Sequence, residues 1–126
     1  MSMLNRMGNA KNPYQGDRKK VLCVCSAGVL RSPTMAYVLS QEPWGFNTRA
    51  AGCSEEYALI QVDDALVYWA DEIICVEEDH RKVLLDAHTE LCKDKPIHVV
   101  KIKDEFPFRD PYLVELITHA MTKLYT

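Results

Sequence analysis

Residues 21–33 read VLCVCSAGVLRSP, and this stretch decides the fold expected for the chain. Its first five residues form a short, continuous apolar run, which is typical of a parallel β-strand buried on both faces. The small residues Ser26, Ala27 and Gly28 then indicate a tight loop. Ser32-Pro33 predicts a helix start, because proline is well tolerated in the first helical turn. The predicted order is strand, loop, helix.

The same alternation continues along the rest of the chain. Short apolar runs predict further strands at 46–51, 73–76 and 97–102. Further helices are predicted at 57–69, at 79–87 and from Asp110-Pro111 onward. Their expected inward side chains include Val83, Leu84, Leu113, Leu116, Ile117, Ala120 and Leu124. Four strands alternating with four helices predict an α/β three-layer sandwich, in which helices cover both faces of a four-stranded parallel sheet.

The composition fits one compact domain. The chain has 126 residues, 48% hydrophobic and 26% charged, which is ordinary for a globular protein. No apolar run approaches the length of a membrane span, and the N-terminus lacks the hydrophobic region of a signal peptide. We therefore expect a cytoplasmic protein with no membrane partner. A flexible basic tail over residues 1–18 is expected to precede a folded domain over 19–126.

The first 20 residues carry five Lys or Arg side chains against one acid, Asp17. A basic leader can contact nucleic acid or an anionic surface. Here no aromatic-rich basic patch accompanies it, so the pattern favours a disordered start over a nucleic-acid partner.

The five cysteines and four histidines do not follow a metal-ligand pattern. No Cys-x-x-Cys spacing occurs, and the histidines, His80 among them, are scattered without zinc-like pairing to cysteines. Cys23, Cys53 and Cys75 lie in or beside apolar runs, where a free cysteine behaves as a small hydrophobic residue. We therefore expect these three cysteines in the core, and neither a metal nor a cofactor.

The loop from Cys25 to Arg31 has the residues needed to bind a phosphate dianion. A loop that leads from a strand into a helix N-terminus presents backbone N–H groups, with the helix dipole behind them. Arg31 adds a planar guanidinium that can bind two phosphate oxygens. The same positive field favours the nucleophilic thiolate form of Cys25. The predicted phosphate-binding residues are Ser26, Ala27, Gly28, Val29, Leu30, Arg31 and Ser32.

One alternative to the phosphate loop stays open, and Ser32 has two candidate roles. A Cys followed six residues later by Arg also fits a strand-end cysteine and a surface arginine, although the flanking strand and helix favour the phosphate loop. Ser32 can donate a hydrogen bond to the thiolate, and it can also cap the following helix; both roles are compatible.

Residues 21–33 resemble the active-site stretch of the low-molecular-weight protein tyrosine phosphatases, whose signature is Cys-x5-Arg-Ser/Thr after a buried strand. The similarity is closest to a short bacterial and phage branch, which Ala51-Gly52, Trp69-Ala70-Asp71 and Asp110-Pro111 match in order. It covers about residues 20–126. The resemblance implies hydrolysis of phosphate monoesters, above all protein phosphotyrosine, through a phosphocysteine formed on Cys25. The implied partner is a phosphorylated protein or a small phosphate ester.

The resemblance places the general acid in an Asp-Pro motif, which Asp110-Pro111 matches. The same aspartate could instead cap the last helix, where backbone N–H groups would make it a poor acid. Asp104 is therefore the alternative acid. Tyr112 is expected either at the rim of the substrate pocket or at the edge of the core. Trp44 and the neighbours of Glu55 are further rim candidates.

Two loop positions depart from the family pattern. Gly28 stands where the family usually has Asn, which removes one side chain that helps to fix the loop. Leu30 stands where some members have a second cysteine, so a protective disulfide within the loop is excluded. Three other functions stay open: a non-catalytic module that binds phosphate or a phosphoprotein, a cysteine-phosphorylated transport component, and an arsenate reductase that would use Cys75 and Cys92 as a thiol relay.

Overall fold

A computed structural model describes residues 19–25, 31–53, 61–102 and 111–125. Four parallel strands lie in these ranges: β1 (Lys20–Cys25), β2 (Asn47–Gly52), β3 (Glu72–Cys75) and β4 (Ile97–Val99). They form one sheet in the order β2-β1-β3-β4. Because β1 lies between β2 and β3, the strand order reverses beside its carboxyl end, which is where ligands bind in folds of this kind.

The helices of the described ranges are α1 (Arg31–Ser40), α2 (Asp64–Trp69), α3 (Glu78–Ala87), α4 (Thr89–Cys92) and α5 (Pro111–Leu124). One face of the sheet packs against α1 and α5. The opposite face packs against α2, α3 and α4. The predicted three-layer sandwich with a four-stranded parallel sheet is confirmed, and α4 is an addition that the sequence pattern did not indicate.

The central strand β1 is buried on both faces, as its apolar run predicts. Val21, Cys23 and Cys25 face the layer of α1 and α5. Leu22 and Val24 face the other layer. Full burial of a Val or Leu side chain stabilises the fold by about 1.5–3 kcal/mol, so β1 anchors both cores and holds Cys25 at a fixed position.

The predicted helix over 57–69 was wrong over residues 61–63, while 57–60 lie outside the described residues. Gln61 forms an isolated bridge with Gly52. The Asp63 carboxylate accepts a hydrogen bond from the backbone N–H of Leu66 at 2.8 Å. This N-cap fixes the helix start at Asp64.

Other boundaries and faces also differ from the prediction. β4 ends at Val99 rather than at 102, although the backbone N–H of Val100 still donates to the Cys75 carbonyl at 2.8 Å. Val83 is 45% exposed and Leu116 is 37% exposed, so their predicted inward positions were wrong. Leu84 is buried as expected, and so are Leu113 and Ile117, in whose cluster Met121 is buried as well. Ala120 and Leu124 are only partly buried against the same cluster.

A polar cluster joins Lys19 and Tyr125 to Glu72 at the amino end of the sheet. The Tyr125 hydroxyl donates to Glu72 Oε1 at 2.7 Å, and Lys19 Nζ donates to Glu72 Oε2 at 3.2 Å. Burial by itself would raise the pKa of Glu72, but these two hydrogen bonds and the charges of Lys19 and His98 lower it overall. The cluster therefore favours the ionised carboxylate and ties the end of α5 to the sheet.

Trp44 lies near the amino end of the sheet. It comes just before β2, and the first residue of β2, Asn47, pairs with Lys20 at the start of β1. The predicted place of Trp44 at the substrate rim was wrong, since Cys25 is at the opposite end of β1. Among the described residues no helix is long and apolar enough to cross a membrane.

Candidate active site

Cys25 is the last residue of β1 and lies where the strand order reverses. It is 2% exposed. Its Sγ lies 3.1 Å from the Ser32 hydroxyl oxygen, which is within hydrogen-bonding distance. When Cys25 is a thiolate, only Ser32 can supply the proton of this bond. The predicted contact between these two side chains is therefore present.

Ser32 is fully buried and lies one residue inside α1, which begins at Arg31, so its alternative role as the N-cap was wrong. Its hydroxyl also lies 3.4 Å from the Ala51 carbonyl. A hydroxyl has one proton, so the two acceptors compete for it. The shorter contact and the negative charge of a thiolate both favour Cys25.

Arg31 is not a surface arginine. Its side chain is 3% exposed, and Nη1 donates to the Ile102 carbonyl at 2.9 Å. The same Nη1 lies 3.6 Å from Glu77 Oε1, in an ion pair. A buried guanidinium is tolerated only when it is paired and hydrogen-bonded. These contacts hold the side chain against the ends of β3 and β4, at the same end of the sheet as Cys25.

Glu77 and His80 are members of this site that sequence reasoning missed. Glu77 Oε2 lies 3.1 Å from His80 Nε2, and the His80 side chain is only 5% exposed. Burial is the main cause that lowers the pKa of His80, opposed by the charge of Glu77. The available signal was the spacing Glu-x-x-His directly after a buried strand, which puts both residues on one side of a helix start.

A cavity of about 330 Å³ lies at this end of the sheet. It is lined by Val76, Glu77, Glu78, Lys101 and Ile102. The cavity thus borders Glu77 and Ile102, the two residues that hold the Arg31 guanidinium.

Several predicted site residues lie outside the described residues: Ser26, Ala27, Gly28, Val29, Leu30, both candidate acids Asp104 and Asp110, and Glu55. Tyr112 is described, in the first turn of α5, and it is 58% exposed. Whether Tyr112 lies at the substrate rim or at the edge of the core stays a prediction.

The remaining cysteines are free thiols. Cys23 and Cys75 are fully buried as predicted, and Cys92 is buried too, whereas Cys53 is only partly buried. Burial, followed by the charge of Cys25, raises the pKa of Cys53 to about 12. Burial likewise raises the pKa of Cys75 and of Cys92. Neutral, buried thiols are poor nucleophiles, which sets these cysteines apart from a catalytic group.

Comparison with known proteins gives matches among solved structures. No protein-family model matches the chain, and no curated protein sequence matches it. The Vibrio vulnificus protein Wzb, solved with benzylphosphonate, is 21% identical with a TM-score of 0.66, over 85% of this chain and 97% of Wzb. The YwlE arginine phosphatase of Geobacillus stearothermophilus is 21% identical with a TM-score of 0.63, over 84% and 92% of the two chains.

A third match is SP-PTP, a low molecular weight protein tyrosine phosphatase from Streptococcus pyogenes. It is 17% identical with a TM-score of 0.62, over 84% of this chain and 90% of SP-PTP. The three matches cover more than four fifths of this chain and at least nine tenths of each matched protein. The chain has the fold of the low-molecular-weight protein tyrosine phosphatases.

Proposed function

We propose that this protein is a cysteine-dependent phosphatase that hydrolyses phosphate monoesters, above all phosphotyrosine in proteins, through a phosphocysteine intermediate. The observation that carries the proposal is the placement of Cys25 and the buried Arg31 at one end of the sheet, beside the reversal in strand order. A thiolate and a guanidinium at the same end of the sheet, near the start of a helix, are suited to attack and to bind a phosphate dianion.

In the first step the Cys25 Sγ lone pair attacks phosphorus. The S–P bond forms as the P–O bond to the leaving group breaks, and Asp110 gives its proton to the leaving oxygen. Arg31 binds the equatorial phosphate oxygens, where negative charge concentrates. This step releases an alcohol or phenol and leaves a phosphocysteine.

In the second step water attacks the phosphocysteine, and Asp110, now a carboxylate, accepts a proton from that water. The S–P bond breaks, inorganic phosphate forms, and Cys25 leaves as a thiolate. Ser32, whose hydroxyl lies 3.1 Å from Sγ, donates a hydrogen bond to the departing sulfur. The same hydroxyl therefore acts where negative charge returns to sulfur.

The exposed Tyr112 supports an aromatic substrate, because its ring at the start of α5 can stack beside a phenyl ester. The alternative of arsenate reduction is disfavoured. Burial raises the pKa of both Cys75 and Cys92, which favours their neutral thiols, and neutral thiols are poor partners in thiol exchange. The free thiols fit a reducing compartment, and we extend the proposal to the cytoplasm.

Turnover of para-nitrophenyl phosphate tests the proposal. We expect activity that is lost in Cys25→Ser and in Arg31→Ala and retained in Cys53→Ser, a matched thiol control. Binding of inorganic phosphate without any turnover would instead show a non-catalytic module. Arsenate reduction that depends on Cys75 or Cys92 would support the reductase.

A pH profile on aryl phosphates separates the two candidate acids. We expect Asp110→Asn to remove most turnover and to make the remaining rate depend strongly on the leaving group, because that group must then depart without a proton. Loss of turnover in Asp104→Asn, with Asp110→Asn unaffected, would show that the acid is Asp104.

A further inference from the structure

We propose that His80 is a positioning residue for the phosphate-binding arginine: it orients the Glu77 carboxylate, which in turn holds the Arg31 guanidinium. The inference rests on the proposed function, in which Arg31 binds phosphate. Three side chains form the path, from His80 Nε2 to Glu77 Oε2 at 3.1 Å and from Glu77 Oε1 to Arg31 Nη1 at 3.6 Å.

The position of Glu77 shows that its carboxylate does not serve the helix. Glu77 is the N-cap residue of α3, and its side chain makes no capping hydrogen bond. Short polar side chains are the usual N-caps, because they reach back to the free N–H groups of the first turn. Here the longer glutamate contacts the Arg31 guanidinium and the His80 ring instead of the free N–H groups. The site and not the helix start therefore accounts for a glutamate at this position.

Arg31 must be held firmly to work as a two-pronged phosphate ligand. Its guanidinium is planar, so a rotation that displaces one nitrogen also displaces the others. Nη1 has acceptors on two segments, the Ile102 carbonyl after β4 and Glu77 after β3. The Ile102 carbonyl is fixed by the backbone, whereas the Glu77 side chain is 49% exposed and has rotational freedom. Glu77 thus needs a second contact to stay in place.

His80 supplies that second contact from a rigid position. Its side chain is 5% exposed and lies one turn into α3. Its neighbours include three charged groups: Glu77, Asp79 and Arg31. A neutral imidazole with its proton on Nε2 donates to Glu77 Oε2 and leaves Oε1 directed at Arg31. The backbone supports the same geometry, since the N–H of His80 donates to the Glu77 carbonyl at 3.2 Å.

The test compares two substitutions of nearly equal size. His80→Gln keeps an N–H donor at the end of the side chain, while His80→Met fills the same space without a donor. The readouts are kcat and KM for para-nitrophenyl phosphate and the competitive inhibition constant of inorganic phosphate. Asp86→Asn, which removes an exposed carboxylate farther along α3, is the control for charge.

We expect His80→Met to weaken inhibition by phosphate about tenfold, the typical effect of losing one hydrogen bond to a charged group. The inhibition constant of phosphate for His80→Gln should stay within about threefold of the wild-type value, and so should that for Asp86→Asn. In a Glu77→Gln background, His80→Met should weaken inhibition by phosphate by less than about a further twofold, because both residues act along one path to Arg31.

Other outcomes overturn the inference. Unchanged phosphate inhibition in His80→Met, or effects of His80→Met and Glu77→Gln that multiply independently, would reduce His80 to a packing residue. If His80→Met does not fold, Glu77→Gln decides alone: a tenfold loss supports the path and an unchanged constant refutes it. The proposed function fails separately, if the wild-type protein neither turns over aryl phosphate nor binds phosphate. The inference about His80 fails alone if the wild type is active and the variants behave as just described.

Discussion

Removal of the Ser32 hydroxyl tests the chemistry of the site at one atom. In Ser32→Ala the thiolate of Cys25 loses a donor that lies 3.1 Å from Sγ in a fully buried position. Water cannot easily replace a hydrogen bond in so enclosed a site. A hydrogen bond to a charged group contributes about 1.5–3 kcal/mol. Part of this is offset in the wild type, because the Ala51 carbonyl, 3.4 Å away, competes for the same proton.

A value of about 2 kcal/mol corresponds to about 30-fold in rate. The loss of rate in Ser32→Ala should fall on one of the two chemical steps. Sulfur loses negative charge when Cys25 attacks phosphorus and regains it when the phosphocysteine is hydrolysed. Ser32 therefore stabilises the second transition state more than the first. We expect Ser32→Ala to lower kcat about 30-fold and to make the phosphocysteine accumulate.

Rapid-mixing kinetics with para-nitrophenyl phosphate measure this directly. The variant should release a burst of nitrophenol close to one equivalent per protein, followed by slow turnover, and the phosphorylated protein should be visible by mass spectrometry. Ser40→Ala is the matched control, since Ser40 is a buried serine at the other end of α1 whose hydroxyl donates to the Tyr37 carbonyl. A kcat for Ser32→Ala within twofold of the wild type, or a large loss without a burst, would refute this reasoning.

Three further predictions concern stability and thiol reactivity. Tyr125→Phe removes the 2.7 Å hydrogen bond to Glu72 and should lower the free energy of unfolding by about 1 kcal/mol at pH 7. The pKa of Glu72 is lower in the folded state. The stability that the ionised Glu72 contributes is therefore complete above its unfolded pKa of about 4.3 and is lost as the pH falls through the folded pKa. In urea unfolding, the difference in free energy between the wild type and Tyr125→Phe should be smaller at pH 3 than at pH 7. Leu84→Ala should cost about 3 kcal/mol because Leu84 is fully buried, whereas Val83→Ala, at a residue 45% exposed, should cost under about 0.5 kcal/mol in the same assay. Iodoacetamide at pH 7 should modify one thiol rapidly in the native protein and none in Cys25→Ser. Rapid labelling of a second thiol in the native protein would contradict the raised pKa of Cys53, Cys75 and Cys92.

The strongest local signals in the sequence gave correct elements. The apolar run of β1 predicted a strand buried on both faces, and every side chain from Val21 to Cys25 is buried. Proline in the first turn and small polar residues before it predicted α1. These signals succeed because they depend on neighbouring residues, whose spacing the chain fixes before any tertiary contact forms.

The errors have a physical cause as well. Val83 and Leu84 are adjacent on a helix, about 100° apart, and only one of them can face the sheet. Which one does so depends on how α3 is rotated against β3, and the apolar pattern of so short a helix leaves that rotation open. The same uncertainty placed Leu116 inside and missed Met121. The early helix start failed because the side chain of Asp63 caps Leu66, a contact that competes with continuation of the helix.

The sequence by itself determined the fold class and the order strand, loop, helix, and it brought Cys25, Arg31 and Ser32 into one short segment. Only the tertiary structure decided what holds Arg31. Its partner Ile102 is 71 residues away along the chain, and Glu77 and His80 come from the end of a different strand. Parallel strands bring their carboxyl ends together at one edge of the sheet regardless of their separation in sequence. No local pattern records which of those ends become neighbours, because strand order is set by packing of the whole domain.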